Sequence, residues 1–207
     1  MGVTGRSSFV VEELMALPPP ARKFVVRALT RWCMCASEEE KQTVQSLLHH
    51  CDRDERRTAC RLQMENGEVE ALADRLRTVK PEILNDHPAC FIHAIAMYLY
   101  ENGELEAATE LLRNAQFGHN KDFFVNFDLG NLTRESDPTD WNTAATYFAV
   151  AASIHATPGV FCRYGDVLRQ LDRIHEAKDA YQRAIDLNPQ YKPAQKSLGE
   201  ITPQLNG

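Results

Sequence analysis

The sequence predicts an all-α chain: an α-solenoid of antiparallel helix pairs preceded by an N-terminal helical hairpin. Three observations predict it. Glu65–Arg77 and Glu101–Arg113 echo each other at an offset of 36 residues, each opening Glu-Asn-Gly-Glu and running into Ala- and Leu-rich amphipathic sequence. The small residues Ala96, Gly130 and Gly165 recur at intervals of 34 and 35. No segment alternates apolar and polar residues over a useful strand length. A period near ~34 residues marks one supersecondary unit that buries its apolar face only by stacking on its neighbours.

Taken in order, residues 1–52 form the N-terminal extension. Pro18–Pro20 is a rigid break. Ala21–Cys35 then has helical spacing through Phe24, Val25, Ala28, Leu29 and Trp32. Ser37 followed by Glu40 is a capping box that opens a second helix to about His50. Residues 53–205 form the repeat domain. Its first repeat, roughly Arg53–Pro88, is degenerate: Cys60 takes the small position, Leu72, Leu76 and Val79 line the second helix, and Pro81–Pro88 reads as an added linker. Well-formed repeats follow at about 89–122, 123–157 and 158–191, with a capping helix at 193–205. In the first of these the stripe is Ile92, Ile95, Ala96 and Leu99, then the Asn102–Gly103 turn, then Ala108, Leu112 and Ala115. In the next, Leu129 and Gly130 precede a longer turn at Glu135–Asp140, and Ala144, Phe148 and Ala151 follow. Asn126 occupies a place where a large apolar residue is usual, so an irregular helix start is expected there, with Phe123 and Phe127 sharing the role.

The third repeat is the sharpest. Phe161, Tyr164, Gly165 and Leu168 fall at i, i+3, i+4 and i+7, one stripe of a first helix. Ala177, Tyr181 and Ala184 form the stripe of a second. Gly165 and Ala177 are small where the helices cross closely, and Tyr181 fills the gap beside them. Pro189 cannot continue the helix and ends it. These residues at these spacings resemble a tetratricopeptide repeat. The resemblance covers 89–205 well, 53–88 weakly and 1–52 not at all. It implies a superhelix that binds another polypeptide along the concave face lined by first helices.

Composition narrows the function. The chain is mildly acidic, with a formal charge of −6, so it lacks the basic field that dominates nucleic-acid affinity, and no nucleic-acid partner is expected. No apolar run approaches the ~18–20 residues needed to span a bilayer, so no membrane insertion is expected. Met1–Ser8 is polar, and Glu12 and Glu13 interrupt the following apolar stretch, which argues against a signal peptide. Arg6 stands where N-myristoylation after Gly2 needs Ser or Thr. The cysteines Cys33, Cys35, Cys51, Cys60, Cys90 and Cys162 are then expected as reduced thiols, and the protein as cytoplasmic. Cys33 and Cys35 would point about 200° apart on a helix, poor for chelation even beside His49, His50 and Cys51, so no metal is expected. Cys162, His155 and His175 are candidate nucleophile and bases, but no hydrolase, phosphate-loop or metalloprotease string surrounds them. The chain is expected to be no enzyme and to hold no cofactor.

The repeat alignment implies a peptide-binding groove lined by His93, Met97 and Tyr100, by Phe124, Phe127, Asn131 and Arg134, and by Arg163, Asp166 and Arg169. Cys162 shares that face, and the degenerate repeat would add Arg57 and Arg61. Aromatic and Arg side chains are enriched at protein-binding hot spots. Some members of the family clamp the C-terminal carboxylate of heat-shock chaperones through Lys and Asn residues on successive first helices. The matching places here hold His93, Met97, Asp128, Gly159 and Arg163, of which only Arg163 fits, so that clamp is not expected. The expected function is a non-enzymatic protein-protein interaction module, an adaptor or scaffold that binds a partner peptide or subunit in the groove. The alternative is a dedicated secretion-type chaperone holding an apolar client segment. A second copy would pair through the N-terminal helices.

Overall fold

The computed structural model describes residues 11–205, the side chains of Met34, Gln204 and Leu205 excepted. The expectations for Met1–Ser8 and Gly2 lie outside the described residues. The described residues are all-helical, with no strand among them. The chain divides into two compact units, Met1–Leu111 and Leu112–Gly207.

In the first unit, α1 (Pro19–Cys35) and α2 (Glu38–Cys51) form a hairpin. Pro19 and Pro20 lie in the first turn of α1, where a missing N–H costs no intrahelical bond, so the helix starts inside the proline run. The capping box forms: the Ser37 side chain accepts from Glu40 N, and Glu40 reaches back to the Ser37 backbone. Val26, Leu29, Val44, Leu48 and Cys51 make the hairpin core. Next come α3 (Glu55–Glu65), α4 (Val69–Arg77), α5 (Pro81–Asn85), α6 (Ala89–Glu101) and α7 (Leu105–Gln116), which crosses the unit boundary. The expected linker after α4 is instead the short helix α5, started by Pro81 and pinned by buried Leu84. The two echoing turns match: Gly67 (φ +71°) and Gly103 (φ +89°) both take the left-handed conformation that favours glycine. Asp172 (φ +58°) holds the equivalent place in the last repeat. The stripe Ile92, Ile95, Ala96 and Leu99 is buried along α6.

One carboxylate ties this unit together. Asp52, 4% exposed, follows α2. It accepts from Arg57 Nε at 2.8 Å, Arg57 Nη2 at 2.6 Å and Arg61 Nη2 at 2.8 Å, both arginines coming from α3. Arg57 Nη1 stands 3.3 Å from His87 Nδ1, and the Arg61 guanidinium lies 5.8 Å from the Phe91 ring centroid. The network thus links α2, α3 and the start of α6. Burial pushes the Asp52 carboxyl up, but the hydrogen bonds and charges of Arg57 and Arg61 outweigh it and hold the group below the ordinary carboxylate range. Arg57 and Arg61 are therefore structural here, not the groove residues their helical spacing implied.

In the second unit, α8 (Phe123–Ser136) pairs with α9 (Trp141–Ile154), and α10 (Pro158–Gln170) with α11 (Ile174–Leu187). The last helix, α12 (Lys192–Leu205), packs on α10 and α11. The turn between α8 and α9 is one residue longer than the one between α10 and α11. Glycine decides each crossing. A Cβ on Gly130 would sit 2.8 Å from Phe148, and one on Gly165 would sit 2.6 Å from Tyr181. Both rings are fully buried. The start of α8 is regular, against expectation: Asp122 caps it by accepting from Phe124 N and Val125 N. Asn126 is buried because its Nδ2 donates to Asn120 O at 3.0 Å and Asp122 O at 2.7 Å, holding the preceding loop against the helix. Gly199 lies 34 residues after Gly165, yet nothing stands within 4 Å of its Cβ position. At the same offset, Phe161 becomes Gln195 and Leu168 becomes Thr202. At these places α12 thus carries polar residues where α10 carries the apolar ones that pack on α11.

Two outcomes follow. Gly165→Ala should destabilise by about 1–3 kcal/mol through the clash with Tyr181, whereas Gly199→Ala should gain about 0.5–1 kcal/mol from helix propensity. Denaturant unfolding of the two variants should show opposite shifts in midpoint; shifts of the same sign would contradict the packing described. For Asp52, a folded-state pKa below the unfolded value gives stability that is present above the ordinary aspartate value near 3.8 and lost as pH falls through the folded one. Asp52→Asn should therefore be less stable at neutral pH and should lose less of its stability between neutral and acid pH than wild type, read from urea midpoints across that range.

Candidate functional site

The repeat step gathers side chains from three first helices of the second unit. Arg134 near the end of α8 and Arg169 near the end of α10 are 35 residues apart. Cys162, Arg163 and Asp166 on α10 correspond to Lys196, Ser197 and Glu200 on α12 at an offset of 34. Equivalent positions on stacked helices point to one side. They line a cleft of about 590 Å³, completed by Trp141, Gln170, Tyr191 and Pro193.

Charge is organised within the cleft. Four cationic side chains, Arg134, Arg163, Arg169 and Lys196, face two carboxylates, Asp166 and Glu200. Arg169 Nη1 donates to Glu200 Oε2 at 2.7 Å, and Lys196 Nζ lies 3.9 Å from Glu200 Oε1. Asp166 accepts from Tyr181 Oη at 2.9 Å, and Arg163 Nη1 stands 4.0 Å from its other oxygen. Burial, then the charge of Asp166, push the Tyr181 phenol up, so it stays a donor. The ring that fills the space at Gly165 thereby also orients a carboxylate of the cleft. Arg134 has no carboxylate within 4.0 Å among the described residues, so its guanidinium is available to a ligand.

The other predicted groove residues are placed differently. Phe127 stacks on Phe123 at 5.5 Å and meets Phe148 at 5.8 Å, which makes it part of the α8–α9 core. Phe124 is 37% exposed but does not line the cleft, and neither does the half-buried Asn131. In the first unit His93 is 8% exposed, too enclosed to offer a surface, while Tyr100 is 37% exposed. Met97 lines a separate cavity of about 490 Å³ between the hairpin and α3 and α6, together with Arg61, Met64, Phe91 and Ala94. Trp141, Tyr191, Lys196 and Glu200 were missed. Extending the 34-residue step by one more turn of the repeat would have found Lys196 and Glu200.

His155 and His175 are exposed near helix ends, and Cys162 is buried. Burial and the charge of Asp166 push the Cys162 thiol up to about 11. Burial also raises Cys33, Cys51 and Cys60. No disulfide joins any of the six cysteines. Among the described residues, no group of three or more His, Cys, Asp or Glu is arranged to hold a metal ion. None of their helices is long and apolar enough to cross a membrane.

Residues 158–191, which span α10 and α11, match the tetratricopeptide repeat family. No curated protein matches the chain by sequence. Several solved structures share its fold. MamA (AMB-1) is 18% identical, covering 72% of this chain and 80% of its own, with a TM-score of 0.57. The first such domain of Spaghetti (RPAP3), bound to an HSP90 peptide, is 16% identical over 62% of this chain and 94% of its own, at 0.51. The type III secretion chaperone SycD of Yersinia enterocolitica, in complex with a peptide of the translocator YopD, is 16% identical over 55% and 91%, at 0.50.

Alkylation tests the cleft's chemistry. At pH 8 only about one part in a thousand of a thiol with a pKa near 11 is thiolate. Iodoacetamide should therefore label exposed Cys35 while Cys162 stays unmodified until the chain unfolds, as mapped by peptide mass spectrometry. Equal labelling of the two in the folded protein would contradict the burial of Cys162.

Proposed function

We propose that this chain, a tetratricopeptide-repeat protein, is a non-enzymatic adaptor or scaffold that holds an extended peptide or a subunit of a partner in the cleft of its second unit. The observation that carries the reading is the gathering of Arg134, Arg163, Arg169 and Lys196 in one cleft of a chain whose formal charge is −6. Surface cations dispersed at random would meet acidic neighbours; here they outnumber the carboxylates around them. A ligand with acidic side chains beside an aromatic or apolar anchor suits this lining, with guanidinium groups taking carboxylates in bidentate pairs and Trp141 and Tyr191 taking the apolar part. The solved neighbours that hold an HSP90 peptide and a YopD peptide are consistent with that use of the fold.

A client-holding chaperone is the second reading. It draws on the first unit's cavity, whose wall includes Met64, Phe91, Ala94 and Met97. Methionine-rich walls adapt to varied apolar segments. The two readings separate by experiment. Affinity capture followed by mass spectrometry identifies partners, and each partner is then titrated against variants.

Arg134→Glu with Arg163→Glu should weaken binding of the partner by about tenfold or more and flatten its dependence on salt, with helical content unchanged. Met64→Ser with Met97→Ser should leave that binding intact. The reverse pattern would move the site to the first unit and favour the chaperone. Phe124→Ala reports whether the ligand reaches beyond the cleft along α8.

A further inference from the structure

The helix α1 carries a feature that peptide holding does not use. In Pro19–Cys35 there are four cations, Arg22, Lys23, Arg27 and Arg31, and no acidic residue, within a chain that is acidic as a whole. Arg22 is committed to backbone carbonyls, donating to Met15 O at 2.7 Å and Leu17 O at 3.0 Å. The side chains of the others are exposed. Lys23, Arg27 and Arg31 follow one another at i, i+4 and i+8, and so form one exposed row along the helix. Phe24, Ala28 and Trp32 form the next row at the same spacing, also exposed. Phe24 is 73% exposed and Trp32 is 48% exposed, about 12 Å apart along the axis. The buried side, with Val26, Leu29 and Thr30, faces the hairpin core.

We infer that this outer face of α1 docks on the anionic headgroup surface of a lipid bilayer. Cations in one row beside aromatics in the next is the arrangement by which an amphipathic helix lies in an interface: the ammonium and guanidinium groups meet phosphates while the rings enter the boundary of the acyl region. α6 packs against one flank of α1, where Cys90 Sγ lies 3.8 Å from Arg27 O. Exposed cations beside exposed rings match a surface that offers phosphates above an apolar layer. An antiparallel two-fold pairing through this face would set cationic row against cationic row, and a parallel one is an outcome of the test below. Docking of this kind is peripheral, since no described helix can cross the membrane.

Co-sedimentation of the whole chain with phosphatidylcholine vesicles, with and without phosphatidylserine, at low and high salt, tests the inference. Binding is expected only to phosphatidylserine vesicles, with loss at high salt. Lys23→Glu with Arg27→Glu, both at exposed positions, should lower partitioning by about tenfold or more. Phe24→Ser with Trp32→Ser should lower it as well, circular dichroism confirming the fold of both. Absence of binding to phosphatidylserine vesicles at low salt would overturn the inference. So would binding unaffected by the charge reversals, or a dimer in analytical ultracentrifugation that Phe24→Ser with Trp32→Ser abolishes. Because the cleft lies in other helices, failure here leaves the peptide-holding reading standing, and failure there leaves this one.

Discussion

The contact between a glycine on the first helix of a pair and an aromatic ring on the second sets the geometry of the second unit. With no Cβ at Gly130 or Gly165, the rings of Phe148 and Tyr181 come against the helix backbone, and the helices of each pair cross closely. Burial of a whole aromatic side chain then contributes on the order of 1.5–3 kcal/mol per pair, which is large against a marginal total. Tyr181 carries the effect further, because its hydroxyl donates to Asp166 and so fixes one carboxylate of the cleft from inside the core. Packing and recognition are joined through one side chain. The first unit lacks such a ring. It has Cys60 and Ala96 at the small positions and relies on the buried Asp52 with its two guanidinium partners to join its helices.

Much of this was legible in the sequence, and the legible part is what periodicity encodes. The spacing of Phe161, Tyr164, Gly165, Leu168, Ala177, Tyr181 and Ala184 prescribes two crossing helices, and those helices form. The Glu-Asn-Gly-Glu echo prescribes two equivalent turns, and Gly67 and Gly103 share a left-handed backbone. What periodicity does not encode is the partner of a polar group on another helix. Arg57 and Arg61 have the spacing of groove residues, yet they turn to Asp52, which belongs to the preceding hairpin. Arg169 has the spacing too, and it lies in the cleft, but with Glu200 already against it. Phe127 was read as lining because its place on the wheel is intermediate; the stack with Phe123 draws it into the core. The use of Asn126, two hydrogen bonds to loop carbonyls, depends on where the loop runs and is not visible in the spacing of apolar residues.

The cleft owes its chemistry to the same repeat step that builds the fold. Residues at equal offsets on α10 and α12 face one space, so a single exposed position, repeated, becomes a row. Opposite the cations, Glu200 holds Arg169 and draws Lys196 near, while among the described residues Arg134 has no carboxylate within 4.0 Å. Pairs this exposed contribute only about 0–1 kcal/mol each. On the proposed reading, an incoming carboxylate would displace Glu200 at small cost.

On the proposed reading, a partner sits on the face shared by α8, α10 and α12. Hydrogen–deuterium exchange of the chain, free and saturated with a captured partner, tests it most directly. The account predicts slowed exchange in the outer turns of α10 and α12 and in the segment joining α8 to α9, with α1–α4 unchanged. Protection confined to α3 and α6, with α10 and α12 exchanging as in the free chain, would contradict it.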